Sequence, residues 1–100
     1  MLTKNQIQYL RTCAHDKKAV VIIGSNGLSE SVLNEIKTSL AHHELLKIKV
    51  NGLNRDNREE AAEQIAKEAG AELVQVMGAI VTIFRQKTKK EESAYNLPKD

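Results

Sequence analysis

The chain has 100 residues, of which 41% are hydrophobic and 28% charged, and its formal net charge is +2 at pH 7. That length suits one compact domain, and that composition excludes wholesale disorder, collagen-like repeats and low-complexity sequence. The longest aliphatic run, residues 19–23, is too short for a membrane span or for the apolar core of a signal peptide, so we expect a cytoplasmic protein with no membrane partner. A single cysteine, Cys13, can form no internal disulfide.

The first part of the chain predicts a helix, a strand and a second helix. Thr3 and Gln6 have the spacing of a capping box and should begin the first helix. Residues 19–23 are rich in β-branched side chains and apolar on both sides of a pleat, which predicts a central strand buried on both faces. Residues 24–27 (GSNG) then turn the chain, and Ser29 should cap the second helix.

The next part predicts a strand with one basic face, followed by a third helix. In residues 46–50 the apolar side chains alternate with Lys47 and Lys49, so both lysines should point to the same side. Asp56 is then the expected N-cap of a helix that Gly70 should end.

The last predicted elements are two strands, residues 72–77 and 79–85, joined tightly at Gly78. The sequence therefore predicts a single-domain mixed α/β fold (α+β) in the order α-β-α-β-α-β-β, with helices packed on a four-stranded mixed sheet. We place the domain at residues 1–86 and a charged, flexible C-terminal tail at residues 87–100.

The turn at residues 24–27 is the most informative local motif. Two glycines three residues apart let a ligand approach the backbone, and the following helix offers free N–H groups to an anion. KH-type modules use such a GxxG loop to clamp the backbone of single-stranded nucleic acid. Alone, the motif favours a simple strand-to-helix turn, and it lacks the lysine of a P-loop and the third glycine of a dinucleotide fingerprint.

Basic residues near this loop support an interaction with phosphates. Besides Lys47 and Lys49, the candidates are Lys18, Arg55, Arg58 and Arg85. Lysines on a strand can equally act as gatekeepers that prevent pairing between sheet edges. Acidic side chains concentrate in the second and third predicted helices, so a basic face could oppose an acidic one, although solvated surface charge is the simpler interpretation of charge alone.

Aromatic residues number only three, namely Tyr9, Phe84 and Tyr95. None of them alternates with a basic cluster, so any recognition of nucleic acid should depend on the phosphate backbone and on shape.

The sequence predicts no catalytic residue, no metal site and no cofactor. His42 and His43 are adjacent on a helix, about 100° apart around its axis, and so should not chelate one ion. Cys13 and His15 point to roughly opposite sides of the first helix.

Three stretches together carry a resemblance to a known family: residues 20–30 (VVIIGSNGLSE), 42–50 (HHELLKIKV), and 74–78 (VQVMG) with the later 84–85 (FR). They resemble the CRM domain, named for chloroplast RNA splicing and ribosome maturation, and are most similar to its bacterial single-domain, YhbY-like members. The resemblance covers residues 3–85.

This resemblance implies an RNA-binding protein with a fold like the C-terminal domain of bacterial initiation factor three. It implies that the loop residues contact the RNA backbone, namely Gly24, Ser25, Asn26 and Gly27. It implies phosphate contacts from five basic residues, namely Lys18, Lys47, Lys49, Arg55 and Arg85. The chain departs from the family pattern at Ala79 in the hairpin, at Phe84, where tyrosine is common, and at Asp16.

The function expected from these features is non-enzymatic binding of RNA, with no preference for DNA, by a monomer. The resemblance alone adds ribosomal RNA in precursors of the large ribosomal subunit as the partner. One alternative is a protein-binding adaptor that docks through its acidic helices and uses GxxG only as a turn. A further alternative is an enzyme or sensor that holds a phosphorylated metabolite at a helix N-terminus.

Overall fold

Within the residues that the structure describes, seven secondary-structure elements follow one another in the order that the sequence predicts. The computed structural model describes residues 2–24, 27–52, 56–88 and 93–98. The elements are α1 (Lys4–Ala14), β1 (Val21–Ile23), α2 (Glu30–His43), β2 (Leu45–Val50), α3 (Arg58–Ala69), β3 (Glu72–Met77) and β4 (Ile80–Phe84). Within the described residues, no helix combines the length and the apolar character that crossing a membrane requires.

Side-chain caps begin the first two helices, as predicted. The backbone N–H of Gln6 donates to Thr3 Oγ1 at 3.2 Å, and the backbone N–H of Thr3 donates to Gln6 Oε1 at 3.0 Å, which completes the capping box of α1. The backbone N–H of Val32 donates to Ser29 Oγ at 3.3 Å at the start of α2. Each cap contributes about 1 kcal/mol to the stability of its helix.

The third helix begins one residue later than expected, so the prediction of Asp56 as its N-cap is wrong. The N-cap is Asn57, whose backbone has φ −118° and ψ −10° and whose side chain makes no capping hydrogen bond. A capping side chain usually needs an extended backbone, and here the Asn57 amide instead donates to the Gly52 carbonyl at 3.5 Å. Gly70 ends the helix with φ 67°, as predicted.

The sheet is mixed, with strand order β1-β2-β4-β3. The strands β1 and β2 are parallel, and α2 forms the crossover between them. The strand β4 is antiparallel to both β2 and β3. Residues 78–79 join β3 to β4, and Gly78 has φ 58°, the positive value that a type II′ turn requires at its first central position. The parallel pair and the tight hairpin are both confirmed.

The prediction that residues 19–23 form a central, doubly buried strand is wrong. The strand β1 lies at the sheet edge, where Val21 and Ile23 are buried but Val20 and Ile22 are 54% and 62% exposed. Apolar residues on both sides of the pleat suggested two covered faces, but a helix covers β1 only on the side of α2.

Two apolar clusters hold helices on opposite faces of the sheet. The larger cluster joins the sheet to α2 and α3 and contains Val21, Ile23, Ile36, Leu40, Leu46, Ile48, Val50, Ala62, Ile65, Ala66, Ala69, Val81 and Ile83. The smaller cluster lies under α1 and contains Leu10, Ala14, Leu45, Val74, Phe84 and Tyr95. The neighbours Leu45 and Leu46 belong to different clusters because successive strand side chains point to opposite faces.

Residues 93–98 pack against the smaller cluster, within the region that the sequence analysis assigned to a tail. The Tyr95 ring meets Phe84 edge-on, with ring centroids 5.6 Å apart and planes at 85°. The Gln6 side-chain amide donates to the Pro98 carbonyl at 2.9 Å. This segment therefore adds to the cover that α1 provides.

A buried carboxylate anchors this segment to the domain. Glu44 alone joins α2 to β2, is 1% exposed and has φ 62° with ψ −49°, a conformation that is rare and strained without glycine. Its carboxylate accepts hydrogen bonds from the Lys87 N–H at 2.9 Å, the Ser93 hydroxyl at 2.6 Å and the Ala94 N–H at 2.8 Å. Three donors thus surround a charge that has almost no contact with water.

These donors determine the protonation of Glu44. Burial alone would raise the pKa of its carboxyl, but the hydrogen bonds from Ser93, Lys87 and Ala94, together with the Lys87 charge, outweigh burial and lower the pKa from its ordinary value. The carboxylate therefore stabilises the fold fully above the ordinary glutamate pKa, and this contribution is lost as the pH falls through the lower folded-state pKa.

We expect Glu44→Gln to reduce the free energy of unfolding at neutral pH by about 1.5–3 kcal/mol, because an amide cannot accept all three hydrogen bonds. Urea titrations of both proteins at several pH values measure the difference, which should shrink as the pH falls through the acid range. Glu35→Gln, at an exposed position of α2, is the control and should change little at any pH. A deficit in Glu44→Gln that stays constant down to strongly acid pH would contradict this role.

Candidate nucleic-acid interface

The helix α1 covers only part of its face of the sheet. It packs over β2 and β3, and the smaller cluster beneath it contains Leu45, Val74 and Phe84. We call the remainder of that face the open sheet face. Its side chains are those of Val20, Ile22, Lys47, Lys49, Gln75, Met77 and Ile80.

Strand pairing arranges part of this face in a row across all four strands. Ile22 pairs with Lys49, Lys49 pairs with Ile80, and Ile80 pairs with Met77. Paired residues in adjacent strands point to the same side of the sheet. Lys49 therefore lies between two isoleucines, on which its aliphatic stem can rest while the ammonium group stays in water.

The two lysines of this face differ in their surroundings. Lys49 is exposed, whereas Lys47 is half-buried and its Nζ donates to the Lys17 carbonyl at 3.0 Å. The Val20 N–H also donates to the Lys47 carbonyl at 3.0 Å. Lys47 thus fastens the connection between α1 and β1 to the sheet, and Lys49 presents its charge outward.

The gatekeeper interpretation of these lysines is wrong, because β2 is an internal strand paired with both β1 and β4. A lysine that blocks pairing between sheets belongs on an edge strand. Lys49 therefore displays its charge on the open sheet face, and Lys47 lies half-buried beside it with its ammonium group bonded to the Lys17 carbonyl.

The glycine loop lies at one end of this surface. The Gly27 N–H donates to the Gly24 carbonyl at 3.0 Å, which closes a four-residue turn, and Gly27 has φ 78°. Both glycines are exposed, and no atom lies within 4 Å of the place where a Cβ would be on either. Residues 25 and 26 lie outside the described residues. The turn is therefore both a tight connection and a backbone open to approach.

The N-terminus of α2 is a poor anion site in this chain. Ser29 already accepts the Val32 N–H, and Glu30 puts a negative charge in the first turn. That charge stabilises the positive end of the helix dipole and repels an incoming phosphate. A phosphate group, including that of a phosphorylated metabolite, therefore has little to bind at this helix end.

The structure separates the other predicted site residues. Lys18 is exposed and lines a notch of about 260 Å³ with Lys17, His43 and Lys47. Arg85 is exposed beyond the far end of β4, where its N–H donates to the Glu44 carbonyl at 2.8 Å. The two ends of β2 are about 17 Å apart, so Arg85 lies well away from the glycine loop. Arg55 lies outside the described residues.

A groove between α1 and the open sheet face contains residues that the sequence analysis did not select. Its volume is about 660 Å³, and it is lined by Gln8, Arg11, Thr12, His15, Asp16, Lys47, Gln75 and Met77. The helix supplies Gln8, Arg11, Thr12 and His15 at the i, i+3, i+4, i+7 spacing of a single face, a signal that was available in the sequence. Arg11 thus faces the same channel as Lys47.

The three departures from the family pattern occupy different environments. Ala79 lies in the hairpin turn, where its carbonyl accepts the Val50 N–H at 2.8 Å. Phe84 is buried in the smaller cluster. Asp16 lines the groove and partly offsets its cations.

Metal binding has no support in the described part of the chain, where no three His, Cys, Asp or Glu side chains are grouped to hold an ion.

Acidic side chains predominate on one side of the sheet and basic ones on the other, although α2 and α3 also carry Lys37, Arg58 and Lys67. The exposed carboxylates of α2 and α3 lie on the side away from the open sheet face, namely Glu30, Glu35, Glu59, Glu60, Glu63 and Glu68. The open sheet face, the groove and the adjoining connection carry Arg11, Lys17, Lys18, Lys47 and Lys49. This arrangement fits a basic surface for a polyanion on one side.

Known proteins match this chain over nearly its whole length. The CRS1/YhbY (CRM) domain model matches residues 2–85. An RNA-binding protein of Haemophilus influenzae is 40% identical over 98 residues, which cover 98% of this chain and 96% of that protein. A probable RNA-binding protein of Pseudomonas aeruginosa is 31% identical over 96 residues, covering 96% of this chain and 92% of that protein.

A solved structure shows the same fold. The solution structure of a Staphylococcus aureus protein, described as a candidate RNA-binding protein, superposes with a TM-score of 0.84 at 36% identity and covers 98% of this chain and 100% of its own. These matches confirm the resemblance found in the sequence, and the chain belongs to the CRS1/YhbY (CRM) domain family.

Proposed function

We propose that this protein binds RNA without catalysing a reaction, using the open sheet face and the glycine turn at residues 24–27. The names of its relatives from Haemophilus influenzae and Pseudomonas aeruginosa support RNA as the ligand. The observation that carries the proposal is that an internal strand places two lysines, exposed Lys49 and half-buried Lys47, on a face that α1 covers only in part. Such lysines protect no edge, and they raise the local positive potential beside an exposed backbone turn.

The site combines two kinds of contact with a sugar-phosphate chain. Arg11 and Lys47 line the groove and Lys49 adds an exposed cation on the open sheet face, while Gly24 and Gly27 let the chain approach the protein backbone closely. Contacts of this kind position RNA without reading its sequence. We therefore propose weak sequence preference and strong dependence on salt.

We further propose that the RNA is ribosomal RNA in precursors of the large ribosomal subunit, and that a cytoplasmic monomer holds a segment of it during assembly. Support for this step comes from membership of the CRS1/YhbY (CRM) domain family together with the connection to ribosome maturation that the resemblance in the sequence implies. Crosslinking in cells, followed by sequencing of the attached RNA, tests it. Crosslinks confined to RNAs other than large-subunit precursors would contradict it.

The double substitution Lys47→Ala with Lys49→Ala should weaken binding to all RNA sequences and lower the salt slope of the affinity by about 0.7 for each phosphate that the variant no longer neutralises. Fluorescence anisotropy with a labelled unstructured RNA at several salt concentrations measures both quantities. Lys49→Ala alone should show much of the effect, because the ammonium group of Lys47 is hydrogen-bonded to Lys17.

Lys67→Ala is the matched control, since Lys67 is exposed in the last turn of α3 on the other side of the sheet. It should leave the slope unchanged. If the double variant keeps the wild-type slope, β2 is not part of the interface.

Replacing Ser25 and Asn26 with aspartate should abolish RNA binding, because it adds two negative charges to the turn proposed to meet the phosphates. Circular dichroism and the thermal midpoint should stay close to wild type. The matched variant Ser25→Ala with Asn26→Ala removes the same side chains without adding charge and should retain most of the affinity. Undiminished binding by the aspartate variant would exclude the turn from the interface.

The acidic surface of α2 and α3 supports a second candidate function, that of an adaptor for a basic protein. The exposed carboxylates of these helices form a surface remote from the lysines. An association with assembly intermediates that survives nuclease treatment and is lost in Glu59→Gln with Glu63→Gln would favour this function. Loss on nuclease treatment would favour RNA binding.

A further inference from the structure

We propose that the open sheet face holds the unpaired bases of the RNA, so that the protein selects single-stranded RNA over a duplex. This inference rests on the proposed function and adds the structural class of the ligand. In it, Ile22 and Met77 contact the faces of the bases, while Lys49 and Arg11 contact the phosphates.

The first observation is the position of the exposed apolar side chains. Within the described residues, the large hydrophobic side chains that are more than half exposed are Val20 at 54%, Ile22 at 62% and Met77 at 63%. All three lie on the same side of the sheet, on the surface that α1 leaves uncovered. A grouped set of exposed apolar side chains marks a contact surface, whereas single ones do not.

The second observation is the order of side chains within the cross-strand row. The row spans three strand spacings, about 14 Å, in the order Ile22, Lys49, Ile80, Met77. We call the three apolar members of this row the apolar strip. A cation therefore lies in the middle of the apolar strip, and Arg11 lies on the wall that α1 forms beside it. A ligand that fits this surface must present apolar and anionic groups within a few ångströms of each other.

Unpaired RNA meets this requirement and duplex RNA does not. The bases of a single strand expose their flat faces beside the phosphates, whereas a duplex encloses its bases and presents phosphates and sugar hydroxyls. Lysines alone would attract a duplex through its phosphates. The exposed side chains of Ile22 and Met77 would have no exposed base face to contact in a duplex. The positive charge of the face also favours a polyanion over an apolar protein segment.

The bases must rest on aliphatic side chains and methionine in this protein. Phe84 and Tyr95 are buried against each other, and Tyr9 packs against the same smaller cluster and does not line the groove, so these rings do not offer a stacking platform on the open sheet face. Methionine is flexible and polarisable and adapts to ligands of varied shape. Contacts with base faces do not distinguish strongly between bases, so the selection should concern strandedness more than sequence.

The test compares single-stranded and double-stranded RNA on the variant Ile22→Thr with Met77→Gln. Both positions are exposed, threonine keeps the β-branched shape of an edge strand, and glutamine keeps the length of methionine without adding charge. Binding is measured with an unstructured oligonucleotide of about 12 nucleotides, within the range of small single-strand sites, and with a duplex of equal length. Circular dichroism and the thermal midpoint verify the fold, and the single variant Met77→Gln is measured if the double variant is destabilised.

The wild type should bind the single strand about tenfold more tightly than the duplex, and the double variant should lose most of that preference with an unchanged salt slope. The contrasting variant Lys49→Ala should lower the salt slope on both RNAs. NMR should show contacts between the Met77 methyl group and base protons of the bound single strand.

Distinct results separate the two proposals. Equal wild-type affinity for single strand and duplex overturns the selection of unpaired bases and leaves RNA binding intact. If the Ile22→Thr, Met77→Gln variant binds the single strand with full wild-type affinity, the proposed contact with unpaired bases is also overturned. A protein partner would then be the expected ligand of the apolar strip. Absence of binding to either RNA at low salt overturns the proposed function itself.

Discussion

The architecture depends on a mismatch between one helix and one sheet face. The helix α1 has 11 residues, about 16 Å of axis and a diameter of about 10 Å, whereas four strands present a surface nearly twice as wide. The opposite face has two helices and is closed by the larger cluster. On the side of α1, residues 93–98 add cover near Phe84, which leaves the β1 end of that face open. The candidate interface exists because α1 and residues 93–98 together are too small to cover this face of the sheet.

Chemistry on the uncovered surface follows from its position. A wet sheet face normally carries polar side chains throughout, and here Lys47 and Lys49 satisfy that expectation while Ile22 and Met77 do not. The carboxylates of α2 and α3 lie behind the sheet, so they do not neutralise these lysines at close range. The open sheet face therefore combines exposed apolar side chains with positive charge, and it lies beside a glycine turn whose backbone is accessible.

Local patterns predicted much of the fold, and non-local contacts explain what they missed. The caps at Thr3 and Ser29, the hairpin at Gly78 and the alternation around Lys47 all depend on residues a few positions apart. The burial of residues 19–23 depends instead on where α1 comes to rest, which no periodicity encodes. The ligands of the Glu44 carboxylate are 43 to 50 residues away along the chain, so no spacing rule indicates them. The helix face that includes Arg11 was visible, but its groove requires β3 as the other wall.

The hydrogen bonds of the Glu44 carboxylate determine how far the C-terminus can be truncated without loss of stability. The family match ends at residue 85, and a fragment stopping there would retain all seven helices and strands. It would also lack Lys87, Ser93 and Ala94, the donors that hold a carboxylate in a strained junction. Without these residues the carboxylate would be exposed to water, and the junction would lose three hydrogen bonds to a charged acceptor, each typically worth about 1.5–3 kcal/mol. Expression designs that trim the C-terminus to the matched domain would thus weaken the junction between α2 and β2.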